Sequence, residues 1–513
     1  MNVSPSVASS NRVDVMDSPA VVGHWIDGAH VTDAARTGPV FDPATGAEQR
    51  RVAFGDSELV DRAVRSARDA FGDWRQVSLA RRTEVMFGFR ELLAARSAEI
   101  AELITSEHGK TLEDAAGEVQ RGLEVAEFAC GLQHLLKGEA SEQIAKNVDS
   151  TSYRQPLGVT VGVSPFNFPC MVPMWMFPIA LACGNAFILK PSERDPSASL
   201  LLAELLSQAG LPDGVFSVVQ GDRETVDALL AHPGVDAVSF VGSTPVARHV
   251  HRTASAHGKR VQALGGAKNH AIVMPDANLD AAADAIASAA FGSAGQRCMA
   301  ISATVAVGRA TGDALVAAVA ERARNLIVGP GAASGSEMGP LISAEARDRV
   351  AEYVGRAERD GAVIVVDGRG RFSDGAPGFF IGPSVIDDVT VDMDVYCDEV
   401  FGPLLVVLRA DSLDEALAIV NANPYGNGAA IFTNDGRAAR TFRSRVTVGM
   451  VGINVPIPVP TAPFGFGGWK DSLFGDLHVY GREGVLFNTR GKVVTERWLD
   501  HGPDLSYGFP SNV

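Results

Sequence analysis

Between Gly158 and Gly266 the chain alternates short β-branched runs with stretches whose apolar residues recur at helical spacing. The runs at 159–163, 186–189, 216–220, 237–241 and 260–264 predict strands, and the intervening segments at 170–182, 198–210, 223–231 and 245–256 predict helices. Strand–helix units of this size, repeated, predict a parallel sheet wound by right-handed crossovers, with any nucleotide at the carboxyl ends of its strands. A second alternating block runs from Asn278 to about Val455, with helices predicted at 279–290 and 413–421 and strands at 301–307 and 404–408. The polar segment 139–154 and the alternating segment 485–498 fit neither block. Both predict projecting strands, whose unpaired edges favour contacts between subunits.

A length of 513 residues exceeds one hydrophobic core and implies about three structural units at roughly 150 residues each. The formal net charge of -16 leaves no basic footprint for nucleic acid or an anionic membrane, so a small-molecule role is expected. No charged residue or histidine lies between Arg154 and Lys190, but Pro165, Pro169, Pro173 and Pro178 argue against an uninterrupted membrane span. A buried strand, a loop and a buried helix explain the run. Cys130, Cys170, Cys183, Cys298 and Cys397 are scattered, without the spacing of a disulfide framework or a zinc site, which predicts a reducing, cytoplasmic setting and no metal. Residues 1–20 resemble neither a signal nor a transit peptide and are expected to form a disordered tail.

Several segments carry candidate chemistry. Phe291-Gly-Ser-Ala-Gly-Gln-Arg-Cys298 places small residues before a cysteine, leaving room for a substrate to reach the sulfur and the neighbouring backbone N–H groups. A lone cysteine is more often core; this setting changes the balance. Ser164-Pro-Phe-Asn-Phe-Pro169 follows the first predicted strand, where Asn167 either forms a turn or aims its amide at a developing oxyanion. Lys190-Pro-Ser-Glu193 closes the second strand, within reach of a ribose. Phe240-Val-Gly-Ser-Thr244 opens a helix, either as an ordinary cap or as a pyrophosphate site.

In this order, and with Asp398-Glu-Val-Phe-Gly-Pro403, these segments resemble the aldehyde dehydrogenase superfamily from about Gly23 to about Trp498. The resemblance implies an α/β fold with a Rossmann-like parallel-sheet NAD domain over 21–133 and 155–264. It also implies an α/β catalytic domain over 265–456 and a small β oligomerisation arm over 134–154 and 484–500. It makes Cys298 the nucleophile and Asn167 an oxyanion donor, and gives Ser164, Phe166, Lys190, Glu193, Arg194, Ser243, Glu399 and Phe401 to the cofactor, with Glu399 at the nicotinamide ribose. Glu193 favours NAD over NADP, because a carboxylate accepts a ribose hydroxyl and repels a 2′-phosphate; Arg194 beside it weakens that exclusion.

One departure sharpens the expectation. Hydrolytic members carry a glutamate immediately before Leu-Gly-Gly that activates water, whereas Val261-Gln-Ala-Leu-Gly-Gly266 has Ala263 there. The following Gly266-Ala-Lys-Asn-His270 run, Phe240-Val-Gly-Ser-Thr-Pro-Val246 and Phe474-Gly-Asp476 are similar to the CoA-acylating methylmalonate-semialdehyde dehydrogenases. That resemblance implies a semialdehyde substrate, coenzyme A as co-substrate, Arg121 and Arg297 as the pair for the substrate carboxylate, and a homotetramer built as a dimer of dimers. Ala247, where many relatives have glycine, bears on the path of the pyrophosphate. The competing expectations are a hydrolytic enzyme with another base, such as a route through His270, and an inactive member with a binding role.

Overall fold

The computed structural model describes residues 20–372 and 377–498. Its first sheet has eight strands in the order Leu473–Phe474, Arg260–Leu264, Ala237–Val241, Val159–Val163, Ala186–Lys190, Phe216–Val218, His24–Ile26 and Ala29–Val31. The five strands expected from the periodicity pair in parallel in the middle. Every residue of Val159–Val163, Ala186–Lys190 and Ala237–Val241 is buried, as a sheet covered on both faces requires. The purely parallel expectation needs correction at the edges, where His24–Ile26 and Leu473–Phe474 join antiparallel. These two strands are only three and two residues long, too short to leave a periodic signal.

Along the sheet the parallel strands run fifth, fourth, first, second, third in chain order. Strand order therefore reverses between Val159–Val163 and Ala237–Val241, and connections leave their carboxyl ends in opposite directions. That divergence opens a crevice.

The uncharged run resolves into the strand Val159–Val163, a loop, and the helix Met171–Ala182, all twelve residues of which are buried. At about 1.5 Å per residue this helix spans about 18 Å, short of the ~30 Å of a bilayer core. Among the described residues no helix is long and apolar enough to cross a membrane. The helix packs against Leu112–Cys130, where Gly122 lets the backbones approach: a Cβ there would lie 1.9 Å from Met174 Cε. Each large apolar side chain buried in this layer contributes about 1.5–3 kcal/mol.

The second sheet has seven strands in the order Val363–Val366, Ser384–Asp387, Leu404–Ala410, Ile301–Val307, Asn269–Val273, Gly428–Phe432 and Met450–Ile453, parallel except at the first pair. A third sheet pairs Val148–Pro156 with Ala140–Ala145 on one side and with Thr489–Arg497 on the other. The strand expected from 484–485 begins later, because Gly481–Phe487 is helical: Gly481, Gly484 and Val485 are buried at helical spacing, with Gly484 close to Ile179. Residues 499–500 of the expected arm, and the expected tail apart from Ala20, lie outside the described residues.

Candidate active site

The crevice at the strand reversal is a cavity of about 800 Å³. Ser164, Phe166, Asn167, Lys190, Glu193, Arg194, Ser243, Cys298, Glu399 and Phe401 all line it, so ten of the expected site residues, from five separate segments of sequence, converge. Arg121 and Arg297 are not part of its lining.

One end of the cavity follows the carboxyl ends of the parallel strands. Buried Lys190 donates to Glu193 Oε2 at 3.0 Å. Burial pushes the Glu193 carboxyl up, but the Lys190 charge and the hydrogen bonds it receives outweigh this and hold it below its ordinary range. It is therefore an anionic acceptor at neutral pH. Helix Thr244–Ala256 begins at Ser243, whose side chain makes no capping bond, and Gly242, Ser243, Pro245 and Val246 all line the cavity. Uncapped N–H groups at a helix start suit a phosphate. Ala247 is fully buried in the core beneath. Ser164 Oγ, also in the lining, is buried with no hydrogen-bond partner among the described residues, leaving an orphan polar atom for a ligand.

Glu399 sits deeper. Burial raises its carboxyl to about 7, against the opposing effects of the Ala267 N–H at 3.1 Å and the charges of Lys268 and Arg349. Lys268 pins this loop, donating to the carbonyls of Val395 and Asp398 at 2.7 and 2.8 Å, and its own burial lowers it to about 8. A Cβ on Gly266 would lie 2.4 Å from Glu399 Oε2, so a larger residue there would push the carboxylate aside. Phe401 has φ 56°, a region that bulky residues rarely adopt, and meets Phe166 edge-on at 5.8 Å.

Cys298 is delivered by a tight reversal after helix Leu279–Phe291. Ser293, Ala294 and Gly295 follow one another at φ 53°, 51° and 67°. Gly295 lies so near the next segment that a Cβ would come within 2.1 Å of the Gly402 carbonyl. The Cys298 carbonyl is then fixed by Asn269 Nδ2 at 2.9 Å and Asn427 Nδ2 at 3.1 Å. Burial, followed by the Glu399 charge, raises the Cys298 thiol to about 12; backbone N–H groups of Cys298 and Met299 and the Arg297 charge act in the opposite sense. In the cofactor-free protein the sulfur is thus a thiol at neutral pH.

Asn167 is buried, shares the lining with Cys298, and its side-chain amide makes no hydrogen bond among the described residues. A free amide beside a sulfur is available to a ligand oxygen. Partly buried Cys298 packs against the large hydrophobic cluster that also holds Trp175, Phe466 and Tyr480, with the Trp175 ring 4.5 Å from Phe466 and 5.8 Å from Tyr480.

The two expected carboxylate-binding arginines are already engaged. Half-exposed Arg121 donates to Glu124 at 2.9 Å, one turn along the same helix, and Arg297 pairs with Asp114 at that helix's start. Arg121 is still close enough to influence the Tyr480 hydroxyl, whose pKa is raised by burial and by Cys298 and lowered by Arg121. His270 does not serve the sulfur: Asn269 Nδ2 donates to the Cys298 carbonyl, whereas His270 Nε2 meets the Tyr396 hydroxyl at 3.1 Å. Burial lowers it to about 3, which makes it a poor base at neutral pH.

Sequence reasoning missed Asn269, Asn427, Arg349 and Tyr480. Asn269 stood within the Gly-Ala-Lys-Asn-His run and could have been found there; the others approach the site only through long-range packing.

A model of the aldehyde dehydrogenase family matches residues 30–494. The chain belongs to the aldehyde dehydrogenase family. It is 52% identical to a malonate-semialdehyde dehydrogenase of Pseudomonas aeruginosa, over 95% of this chain and 99% of that protein. A malonate-semialdehyde dehydrogenase of Geobacillus kaustophilus is 48% identical, over 93% of this chain and 97% of the relative. Among solved structures it is similar to a methylmalonate-semialdehyde dehydrogenase from Oceanimonas doudoroffii, with 52% identity, a TM-score of 0.92, and coverage of 94% of this chain and 99% of that one. A Sinorhizobium meliloti protein provisionally assigned as a methylmalonate-semialdehyde dehydrogenase and solved with NAD superposes with a TM-score of 0.93 at 49% identity, covering 95% of this chain and 99% of that one. The expected aldehyde dehydrogenase fold is therefore the fold observed.

Proposed function

We propose that this chain oxidises malonate semialdehyde or methylmalonate semialdehyde with NAD, releases carbon dioxide, and transfers the remaining acetyl or propionyl group to coenzyme A. The names of the similar proteins support the substrate class. The observation that carries the acylating part is Ala263: the position where hydrolytic relatives hold their base is a methyl group with 0% exposure, in a strand capped by Phe474. A buried methyl cannot accept a proton from water.

In this reading residues 21–133 and 155–264 hold NAD, 265–456 carry the thiol, and the arm over 134–154 and 484–500, whose strand Thr489–Arg497 leaves Val493 69% exposed, builds a homotetramer. Glu193 accepts the adenosine ribose, the start of helix Thr244–Ala256 takes the pyrophosphate, and Glu399 takes the nicotinamide ribose. NAD, when bound, supplies the hydride acceptor. The Cys298 thiol gives up its proton to solvent, the thiolate attacks the aldehyde carbon, and the resulting oxyanion receives hydrogen bonds from the Asn167 amide and the Cys298 N–H. Hydride loss leaves a thioester on Cys298. The bond to the β-carboxylate then breaks, carbon dioxide departs, and the electron pair moves onto the thioester carbonyl, where the same two donors stabilise it; protonation at carbon follows. The thiolate of coenzyme A attacks the thioester and expels the Cys298 sulfur. Arg121 and Arg297 hold the substrate carboxylate, which must compete with Glu124 and Asp114 for them.

Glu399, raised to about 7 in the same cavity, favours a hydrolytic alternative, since a carboxyl of that pKa is suited to general base work. Product analysis decides between the two. Supplied with malonate semialdehyde, NAD and coenzyme A, the enzyme should give acetyl-CoA and carbon dioxide in step with NADH; malonate as the product would overturn both decarboxylation and acyl transfer.

A further inference from the structure

Lys110 and Glu118 form an ion pair whose side chains are both 0% exposed, yet neither lines the cavity around Cys298. Lys110 Nζ donates to Glu118 Oε2 at 2.7 Å and to the Asn167 carbonyl at 2.6 Å, and lies 4.4 Å over the Phe168 ring. Glu118 Oε1 accepts from the N–H groups of Cys170 and Met171 at 2.8 and 3.1 Å. The pair thus grips the Pro-Phe-Asn-Phe-Pro loop at Asn167, Phe168, Cys170 and Met171. Next to it, the His108 ring stacks on Phe166 at 5.9 Å while His108 Nδ1 accepts from the Lys110 N–H at 3.3 Å. Burial and then the Lys110 charge push the His108 pKa well down, so the ring is the neutral acceptor this bond needs. Gly109, at φ 88° and with no room for a Cβ beside Pro340, turns the chain so that Lys110 points inward.

Because the Asn167 amide has no hydrogen bond of its own, its aim is set by the backbone that carries it, and that backbone is fixed at its carbonyl by Lys110. We infer that the Lys110–Glu118 pair is a positioning device for the Asn167 carboxamide, holding the oxyanion donor on target without touching substrate. The inference rests on the proposed role of Asn167 as that donor. A buried pair is weak evidence for stability, because its desolvation offsets its attraction. Its bonds to four points of one catalytic loop give it a function that stability does not.

The test is a mutant cycle on the full-length enzyme, read as the rapid-mixing rate of NADH formation, with NAD affinity and thermal melting followed alongside. Lys110→Met with Glu118→Leu removes both charges together, so no lone charge is left in the core. Asn167→Ala should slow NADH formation by about 100- to 1000-fold, the usual cost of an oxyanion donor. The Lys110→Met, Glu118→Leu enzyme should be slower by roughly 10- to 100-fold, as expected for a donor displaced by about 1 Å, with NAD affinity unchanged. The triple variant should match Asn167→Ala within about twofold, since effects routed through one residue do not multiply. Losses that multiply, or a wild-type rate in the Lys110→Met, Glu118→Leu enzyme, overturn the inference while leaving Asn167 as donor. A near wild-type rate for Asn167→Ala overturns the donor role and the inference with it. If the double replacement does not fold, Glu118→Gln, which keeps an acceptor for the Cys170 and Met171 N–H groups, enters the same cycle.

Discussion

The two ends of the cavity are built differently. At the nucleotide end, each group sits where a parallel strand stops, and the partners are local: Lys190 with Glu193 three residues on, Ser243 at the start of its own helix. At the thiol end, most groups depend on a distant segment: Asn269 and Asn427 fix Cys298, Gly295 fits under Gly402, and Arg297 pairs with Asp114, Arg121 with its local partner Glu124 being the exception. At the thiol end the sulfur is protonated and both arginines are occupied, so chemistry there waits on ligands to displace or offset what holds each group.

Three experiments bear on that contrast, in descending order of expected effect. Alkylation of Cys298 in cofactor-free enzyme should rise roughly tenfold per pH unit from about pH 7 to about pH 10, because only the thiolate reacts. Its pKa is raised to about 12, so the thiolate fraction grows throughout this range; a plateau near neutral pH would mean that the thiol is already activated. Next, Arg121→Leu should raise the KM for malonate semialdehyde by about 10- to 100-fold, the value of a hydrogen bond to a charged group, and leave propanal unaffected. Equal effects on both substrates would make Arg121 a structural partner of Glu124. The smallest change is expected from Glu193→Gln, which removes the carboxylate that repels a 2′-phosphate. The preference for NAD over NADP should fall about tenfold, the scale of one lost charge-assisted bond. An unchanged preference would shift the discrimination to Arg194 or another group.

The same contrast explains what could be read from sequence. The strands Val159–Val163, Ala237–Val241, Arg260–Leu264 and Ile301–Val307 match the periodicity residue for residue, because each is long enough to carry a pattern and is buried throughout or nearly so. His24–Ile26 and Leu473–Phe474 left no such signal, since they are too short and pair with strands far along the chain. The expected strand from 484–485 overlaps the end of helix Gly481–Phe487, because Val485 and Phe487 alternate although the glycines at 481 and 484 and Val485 make the helical face. Among site residues, Cys298, Asn167 and Glu399 were legible through contiguous motifs. Tyr480 was not, because nothing local marks a hydroxyl whose nearness to Cys298 arises from long-range packing. The salt bridges holding Arg121 and Arg297 were equally invisible, although Asp114 and Glu124 lie on the helix that carries Arg121.

The central claim is that a buried methyl at Ala263 leaves the acyl-enzyme without a base for water, so that coenzyme A must release it. Rapid mixing of enzyme, NAD and malonate semialdehyde without coenzyme A tests this directly. The account predicts a burst of about one NADH per active site and then a slow phase, since unassisted water lacks the roughly 100- to 10,000-fold help of a positioned base. Adding coenzyme A should restore fast turnover and yield acetyl-CoA. Sustained fast NADH formation without coenzyme A, with a free acid as product, would contradict it and point to Glu399 as the base.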